Sequence, residues 1–227
     1  IRERVKEGRW NIVGGLYLQP DCNMPCGESF ARHALVSQRY FKDKFGVCAK
    51  SGYNVDSFGH NAAMPKILRG AGMSRYVFMR PDEGEHPLGF DNFTWRSDDG
   101  SEVEASRIFY YALTEGDIPK IHQTAGQVAD DGVERMSFFG VGNHGGGPTA
   151  KMLSKLCEEM RENYVFASVD DFFDNYDYDY VAMLTLYGIL PFDAVPSKGY
   201  AGYPGSEDDI AGQNMAKYIR EHEPNAE

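Results

Sequence analysis

Basic side chains are in short supply: Lys and Arg number 23 against 34 Asp and Glu, for a formal charge of −11. A surface of that sign repels phosphates, so duplex nucleic acid and anionic membranes are excluded as partners held by charge. Cysteine is sparse too, with four in 227 residues, far below a disulfide scaffold. Cys22-x3-Cys26 has no second Cys or His pair at ligand spacing downstream, which leaves a zinc knuckle without support. Reduced thiols in a cytoplasmic protein are the expectation. Long apolar runs are missing: the longest, Tyr180 to Leu190, has 11 residues, where a membrane-spanning helix needs about 20. No repeat, low-complexity tract or linker-like stretch divides the chain.

What is present is enough apolar sequence, 42%, for one substantial core in a single domain covering residues 1–227. Ile1 to Lys6 reads as the closing turns of a helix that stops at Gly8, so the chain is expected to be an excerpt, incomplete at both ends. Two β-like runs, Trp10 to Val13 and Leu16 to Leu18, flank Gly14-Gly15, and Pro20 to Gly27 is turn chemistry. Phe30, Ala34, Tyr40, Phe41 and Phe45 fall near helical spacing, with Gly46 to close the helix. Then come a strand from Gly52, a helix over Ala62 to Ala71 and a strand over Arg75 to Met79. Asp98-Asp99-Gly100 between Phe93-Thr94-Trp95 and Val103 to Phe109 predicts a hairpin. Further on, helices are expected over Asp117 to Asp130 and Thr149 to Asn163, strands over Met136 to Val141 and Tyr164 to Ala167, and a short helix opened by Ser168 with Asp171 at the capping-box position. Alternation of this kind implies an α/β fold with a parallel sheet, either a (β/α) barrel or an open doubly wound sheet.

In both architectures ligands meet the C-terminal ends of the strands. Three such ends carry reactive residue types. The first strand runs into Asp56-Ser57-Phe58-Gly59-His60-Asn61, the second into Arg80-Pro81, and the Met136 strand into Gly142-Asn143-His144-Gly145-Gly146-Gly147-Pro148-Thr149. Each has a plain structural use: an Asp before a Ser is commonly a helix cap, a lone Arg commonly a surface ion pair. The triple glycine lacks the Lys-Ser/Thr of a phosphate loop. Asp21 and Glu28 are most simply explained as caps or surface charges, and His33, His86 and His122 have no partner pattern.

Taken together, Gly8-Arg9-Trp10-Asn11-Ile12-Val13-Gly14-Gly15, Gln19-Pro20-Asp21, Gly27-Glu28-Ser29 and above all Asp56-Ser57-Phe58-Gly59-His60, followed by Met64-Pro65-Lys66-Ile67-Leu68 and Gly72, closely resemble the N-terminal catalytic domain of glycoside hydrolase family 38, the α-mannosidases. The Gly-Asn-His-Gly-Gly-Gly-Pro-Thr loop is similar to the form in bacterial members. The resemblance runs from Ile1 to about Asp177 and is faint beyond.

The resemblance implies a seven-stranded (β/α) barrel-like domain and retaining hydrolysis of α-mannosides in mannose-containing oligosaccharides or glycans. Asp56 matches the residue that is both nucleophile and ligand of an active-site Zn²⁺. Arg80 matches an arginine that pairs with the nucleophile and fixes its orientation, and Phe58 an aromatic lining the sugar subsite. His144 is the candidate general acid, since an imidazole can protonate a leaving group near neutral pH. Asn143 and His60 are the further candidate substrate-binding residues, His60 being better suited to orienting its loop than to holding metal. The family's remaining zinc ligands, a His-x-Asp pair and a His in a His-Asp motif, have no counterpart, because no His-x-Asp precedes Trp10 and His222-Glu223 lacks the Pro-Gly-Thr that should follow. They are expected outside this chain. A carbohydrate-binding or inert remnant is the alternative, and a homo-oligomer stays open.

Overall fold

A computed structural model of the chain describes residues 1–82, 84–88, 90–111, 118–123, 133–141, 147–159 and 164–175. After a first short helix, α1 (Arg2–Lys6), the long helix α2 (Gly27–Phe45) precedes the strand β1 (Ser51–Asn54), helix α3 (Met64–Gly70) and strand β2 (Arg75–Phe78). The hairpin strands β3 (Asn92–Arg96) and β4 (Glu102–Arg107) follow, then helices α4 (Ala150–Glu159) and α5 (Val169–Asn175); residues 118–123 are also helical.

The sheet has four strands in the order β1-β2-β4-β3. β1, β2 and β4 run parallel, and β3 closes the edge antiparallel to β4. A β-α-β crossover through α3 and a hairpin turning at Gly100, whose φ is +83°, account for this order. A mixed α/β fold is therefore in place, and the sheet among the described residues is four-stranded where seven strands were expected. Within those residues, no helix is long and apolar enough to cross a membrane.

Side-chain alternation along β2 sorts the core. Tyr76 and Phe78 join Phe30, Ala34, Met64, Leu68, Phe93 and Trp95 on the face covered by α2 and α3. Val77 and Met79 join Val55, Ile108, Val169 and Phe173 on the face covered by α5. All four residues of β2 are buried, as a parallel strand covered on both faces should be. Each fully buried large apolar side chain there contributes about 1.5–3 kcal/mol. Arg75 shares the α5 face with Val77, and its guanidinium reaches Asp170, Asp174 and Glu104, which ties α5 to the sheet. α5 itself opens on the expected capping box, Ser168 Oγ accepting from Asp171 N and Asp171 Oδ2 from Ser168 N, both at 3.0 Å.

Several expectations differ from the fold. The two β-like runs around Gly14-Gly15 make one isolated parallel bridge, Gly14 to Gly52, and no strand. Gly14 and Gly15 both have positive φ, +97° and +63°, which turns the chain away after a single bridge. The Gly15 carbonyl is taken by Ser37 Oγ at 2.5 Å. Tyr40, one of the residues near helical spacing in α2, is 53% exposed, and the core face of that helix is carried by Phe30 and Ala34. Residues 136–141 and 164–167 are not in strands, Phe139 making a single bridge; Val165 and Phe166 lie 83% and 69% exposed, and β-propensity without burial against neighbours is weak. Of the predicted 117–130 helix, residues 118–123 are helical and 117 and 124–130 lie outside the described residues.

Among the described glycines, Gly15 lies tightest against its surroundings. A Cβ there would sit 2.1 Å from Met73 Sδ and 3.0 Å from its Cε, and Met73 is wholly buried. Gly15→Ala is expected to destabilise by about 2–4 kcal/mol, combining the cost of a left-handed non-glycine residue with overpacking. Urea unfolding followed by circular dichroism measures it, and a loss under about 0.5 kcal/mol, the range of neutral surface changes, contradicts the packing described.

Candidate active site

The β1–β2 register sets Asn54 beside Phe78. Two residues further along each chain stand Asp56 and Arg80, so neighbouring parallel strands deliver a carboxylate and a guanidinium to the same edge of the sheet. Arg80 Nε lies 3.2 Å from Asp56 Oδ1, and the guanidinium covers the Phe58 ring at 4.8 Å from its centroid. Arg80 is thus held from two sides, by a charge-assisted hydrogen bond and a cation–π contact. Its side chain is 20% exposed, whereas that of Asp56 is 51% exposed. An ion pair so open to water contributes at most about 1 kcal/mol to stability. Its value is positional: it fixes one carboxylate oxygen and leaves the group facing outward.

Beneath this pair lies a buried polar layer. Gly59, at φ +107°, lets the Asp56–His60 segment fold under itself, with Ser57 Oγ donating to the Gly59 carbonyl at 3.2 Å. His60 then lands wholly buried among Tyr76, Phe78 and Trp95. Its Nε2 lies 2.9 Å from the Arg80 carbonyl and its Nδ1 2.9 Å from Tyr76 Oη. The Tyr76 hydroxyl in turn meets Cys22 Sγ at 3.8 Å. Asn54 Nδ2 donates to Cys22 Sγ at 3.1 Å and to the Pro20 carbonyl at 2.8 Å, and Asn61 Nδ2 donates to the Cys22 carbonyl. Backbone pairing adds a bridge between Cys22 and His60. Burial pushes the His60 imidazole down to about 4 and the Cys22 thiol up to about 11, and raises the Tyr76 phenol well above its ordinary value. All three are therefore neutral at pH 7.

Of the residues singled out from the sequence, Asp56, Arg80 and Phe58 come together at the surface of the site. His60, expected among the substrate-binding residues, sits behind them in the core and is wholly buried. Asn143 and His144 lie outside the described residues. Asp21 is a turn residue as expected, its Oδ1 accepting from Asn23 N and Met24 N at 2.8 and 2.9 Å, and Glu28 pairs along α2 with Arg32 at 2.7 Å. Sequence reasoning missed Tyr76, Cys22 and Asn54. The cysteine was legible only as a metal candidate, and nothing local to Tyr76 or Asn54 distinguishes a hydrogen-bonding partner from an ordinary strand residue.

A zinc site needs about four N, O or S ligands, or three and a water. Among the described residues no group of three or more His, Cys, Asp and Glu is placed to hold a metal, and the charged group beside Asp56 is a guanidinium. Asp56 is one carboxylate of the right chemistry, and the described residues do not complete a site around it.

Residues 1–192 match the Glycosyl hydrolases family 38 N-terminal domain. Alpha-mannosidase G of Dictyostelium discoideum is 31% identical over 162 residues, covering 69% of this chain and 15% of that protein. Alpha-mannosidase 2C1 of Homo sapiens is 30% identical over 164 residues, again 69% of this chain and 15% of that one. The chain thus spans about 15% of the length of these curated relatives. An alpha-mannosidase from Enterococcus faecalis V583 matches 83% of this chain and 23% of its own with a TM-score of 0.61 at 19% identity, a likeness of fold.

Proposed function

Since the chain belongs to glycosyl hydrolase family 38, we propose that it forms the nucleophile-bearing part of an α-mannosidase that cleaves terminal α-mannosidic bonds of glycans with retention. The observation that carries this reading is the Asp56–Arg80 pair, 3.2 Å apart at the ends of adjacent parallel strands, inside the region that matches the family. A retaining glycosidase needs a carboxylate aimed outward at an anomeric carbon, with a second acid about 5 Å away across the bond. Arg80 engages Oδ1 of Asp56 and so turns Oδ2 toward the sugar. Attack by Oδ2 forms the C1–O bond of a glycosyl ester as the glycosidic C1–O bond breaks, and the departing oxygen takes a proton from the general acid. Water, giving its proton back to that same group now acting as base, then attacks C1 and releases the Asp56 carboxylate, a double inversion that returns the α-anomer. His144 is the acid in this reading, with Asn143 beside it on the sugar, and Phe58 offers its ring to the apolar C–H face of mannose.

Asp56 would supply one ligand to the zinc that goes with this reading, a cation that would keep the carboxylate ionised; the other ligands are expected outside this chain, and the completed domain is expected to take the (β/α) barrel-like form. The reading also places the protein in the cytoplasm, where four cysteines in 227 residues would stay reduced. The full-length protein is expected to hydrolyse 4-nitrophenyl α-mannoside at least about tenfold faster, by kcat/KM, than the α-glucoside, about 1.4 kcal/mol of discrimination, with α-mannose the first product seen by proton NMR. A first product of β configuration, or preference for the glucoside, overturns the proposal.

A further inference from the structure

We propose that His60 is a positioning residue for the Asp56–Arg80 pair, its Nε2–H anchoring the Arg80 carbonyl while the Tyr76 hydroxyl fixes its tautomer from behind. This deepens the mannosidase reading and rests on it for its kinetic consequence, although its structural half stands alone.

Hydrogen-bond direction carries the argument. A backbone carbonyl only accepts, so the 2.9 Å contact with the Arg80 oxygen requires the proton on His60 Nε2. The neutral ring then presents a lone pair at Nδ1, and the Tyr76 O–H, 2.9 Å away, must donate to it. The Tyr76 oxygen also lies 3.8 Å from Cys22 Sγ, whose thiol hydrogen has the Pro20 carbonyl as an acceptor at 3.6 Å. From phenol to imidazole to carbonyl, each link has a single sense, and no ring nitrogen is left unsatisfied. Desolvation outweighs the two influences that act to raise the His60 pKa, the hydrogen bond to the Arg80 carbonyl and the Asp21 charge, while Cys22 and Tyr76 behind the ring are held neutral by burial. The imidazole therefore stays in one tautomer through the neutral range.

The ring is also fixed mechanically. It is wholly buried, with the centroids of Phe78, Tyr76 and Trp95 at 5.3, 5.5 and 6.3 Å. What it anchors is the backbone of the residue whose side chain grips Asp56. The guanidinium itself is partly exposed and contributes little to stability, so its aim depends on how firmly its main chain is held. A filler of the core would do as well with carbon atoms at both nitrogens. The positions of Nδ1 and Nε2 are used here, and this distinguishes anchoring from packing.

Two measurements on the full-length protein test the assignment. In steady-state kinetics with 4-nitrophenyl α-mannoside, His60→Leu is expected to lower kcat about 10- to 100-fold, as a small misplacement of reacting groups does, with KM changed less than about threefold. His60→Gln, whose amide supplies an N–H for the Arg80 carbonyl and an oxygen for the Tyr76 hydroxyl, is expected to recover most of the loss. A folded His60→Leu protein with unchanged kcat, or a Gln variant no better than Leu, overturns the role. Nitrogen-15 NMR of histidine-labelled protein, with His60 assigned from the spectrum of the Gln variant, should show a neutral Nε2–H ring that does not titrate between pH 5.5 and 8. An Nδ1–H tautomer, or titration in that range, refutes the anchoring without reference to catalysis. Absence of turnover in the unmodified protein would instead strike the mannosidase reading and leave the NMR result to decide this one.

Discussion

Asp56→Asn in the full-length protein is expected to lower kcat on an aryl α-mannoside by about four orders of magnitude or more, the scale on which removal of a covalent nucleophile acts. The substitution is nearly isosteric. The amide oxygen can still accept from Arg80 Nε, and the side chain is half exposed, so the lost ion pair accounts for no more than about 1 kcal/mol of stability. Folding is therefore expected to survive, and a thermal midpoint close to that of the parent shows that the loss is chemical. What the amide cannot do is form the glycosyl ester, because a neutral nitrogen or amide oxygen is a poor nucleophile and a worse leaving group in the second step. Asp56→Ala goes further by opening space where the carboxylate stood. With an activated leaving group, added azide is expected to enter that space and give the β-mannosyl azide, the product of a single inversion. An Asp56→Asn protein that keeps more than about a tenth of its rate overturns Asp56 as the nucleophile.

How the site could be found in the sequence, and where that reading stopped, follows from the ranges over which the interactions act. Asp56 and Arg80 were legible because each ends a short run of strand-forming residues, and parallel strands in register bring their ends together wherever the helix between them fits. The hairpin at Asp98-Asp99-Gly100 and the capping box at Ser168 were legible for the same reason, since the residues that make them lie within a few positions of one another. The run from Trp10 to Leu18 was misjudged because its β-like composition is overridden by two consecutive left-handed glycines, the second of them packed against Met73 and bonded through its carbonyl to Ser37 on α2. His60 was half legible. Its place in the motif pointed to the loop, but its depth depends on Phe78 and Trp95 closing over it, and on a tyrosine 16 and a cysteine 38 positions away. Such contacts leave no periodicity to read. The count of seven strands came from resemblance alone, whereas the alternation of strands and helices left a barrel and an open sheet both open, and among the described residues the sheet has four strands.

Trp95→Ala is expected to cost about 3–5 kcal/mol, the range for truncating a buried aromatic to Ala. Against a typical domain stability of about 5–15 kcal/mol this is a large fraction, and at this chain length it corresponds to a fall in Tm of roughly 6–20 °C. Trp95 lies on β3, the antiparallel edge of the sheet, yet its ring is wholly buried and its centroid is 6.2–6.4 Å from those of Tyr76, His60 and Phe78. The indole Nε1 has no hydrogen-bond partner among the described residues, and an orphaned buried donor costs about 1–3 kcal/mol. Trp95→Phe removes that donor together with part of the ring, so the two effects oppose each other and the change is expected to stay within about 1.5 kcal/mol. Scanning calorimetry of both variants separates the contribution of the ring from that of its nitrogen. An Ala variant that melts within about 3 °C of the parent contradicts the packing described. The loss also has a direction in space: an empty volume on this side of His60 releases the imidazole that holds the Arg80 carbonyl. The Ala variant is therefore expected to lose turnover below its melting range while the Phe variant keeps it, a difference that follows only if the edge strand supports the active site through the buried rings.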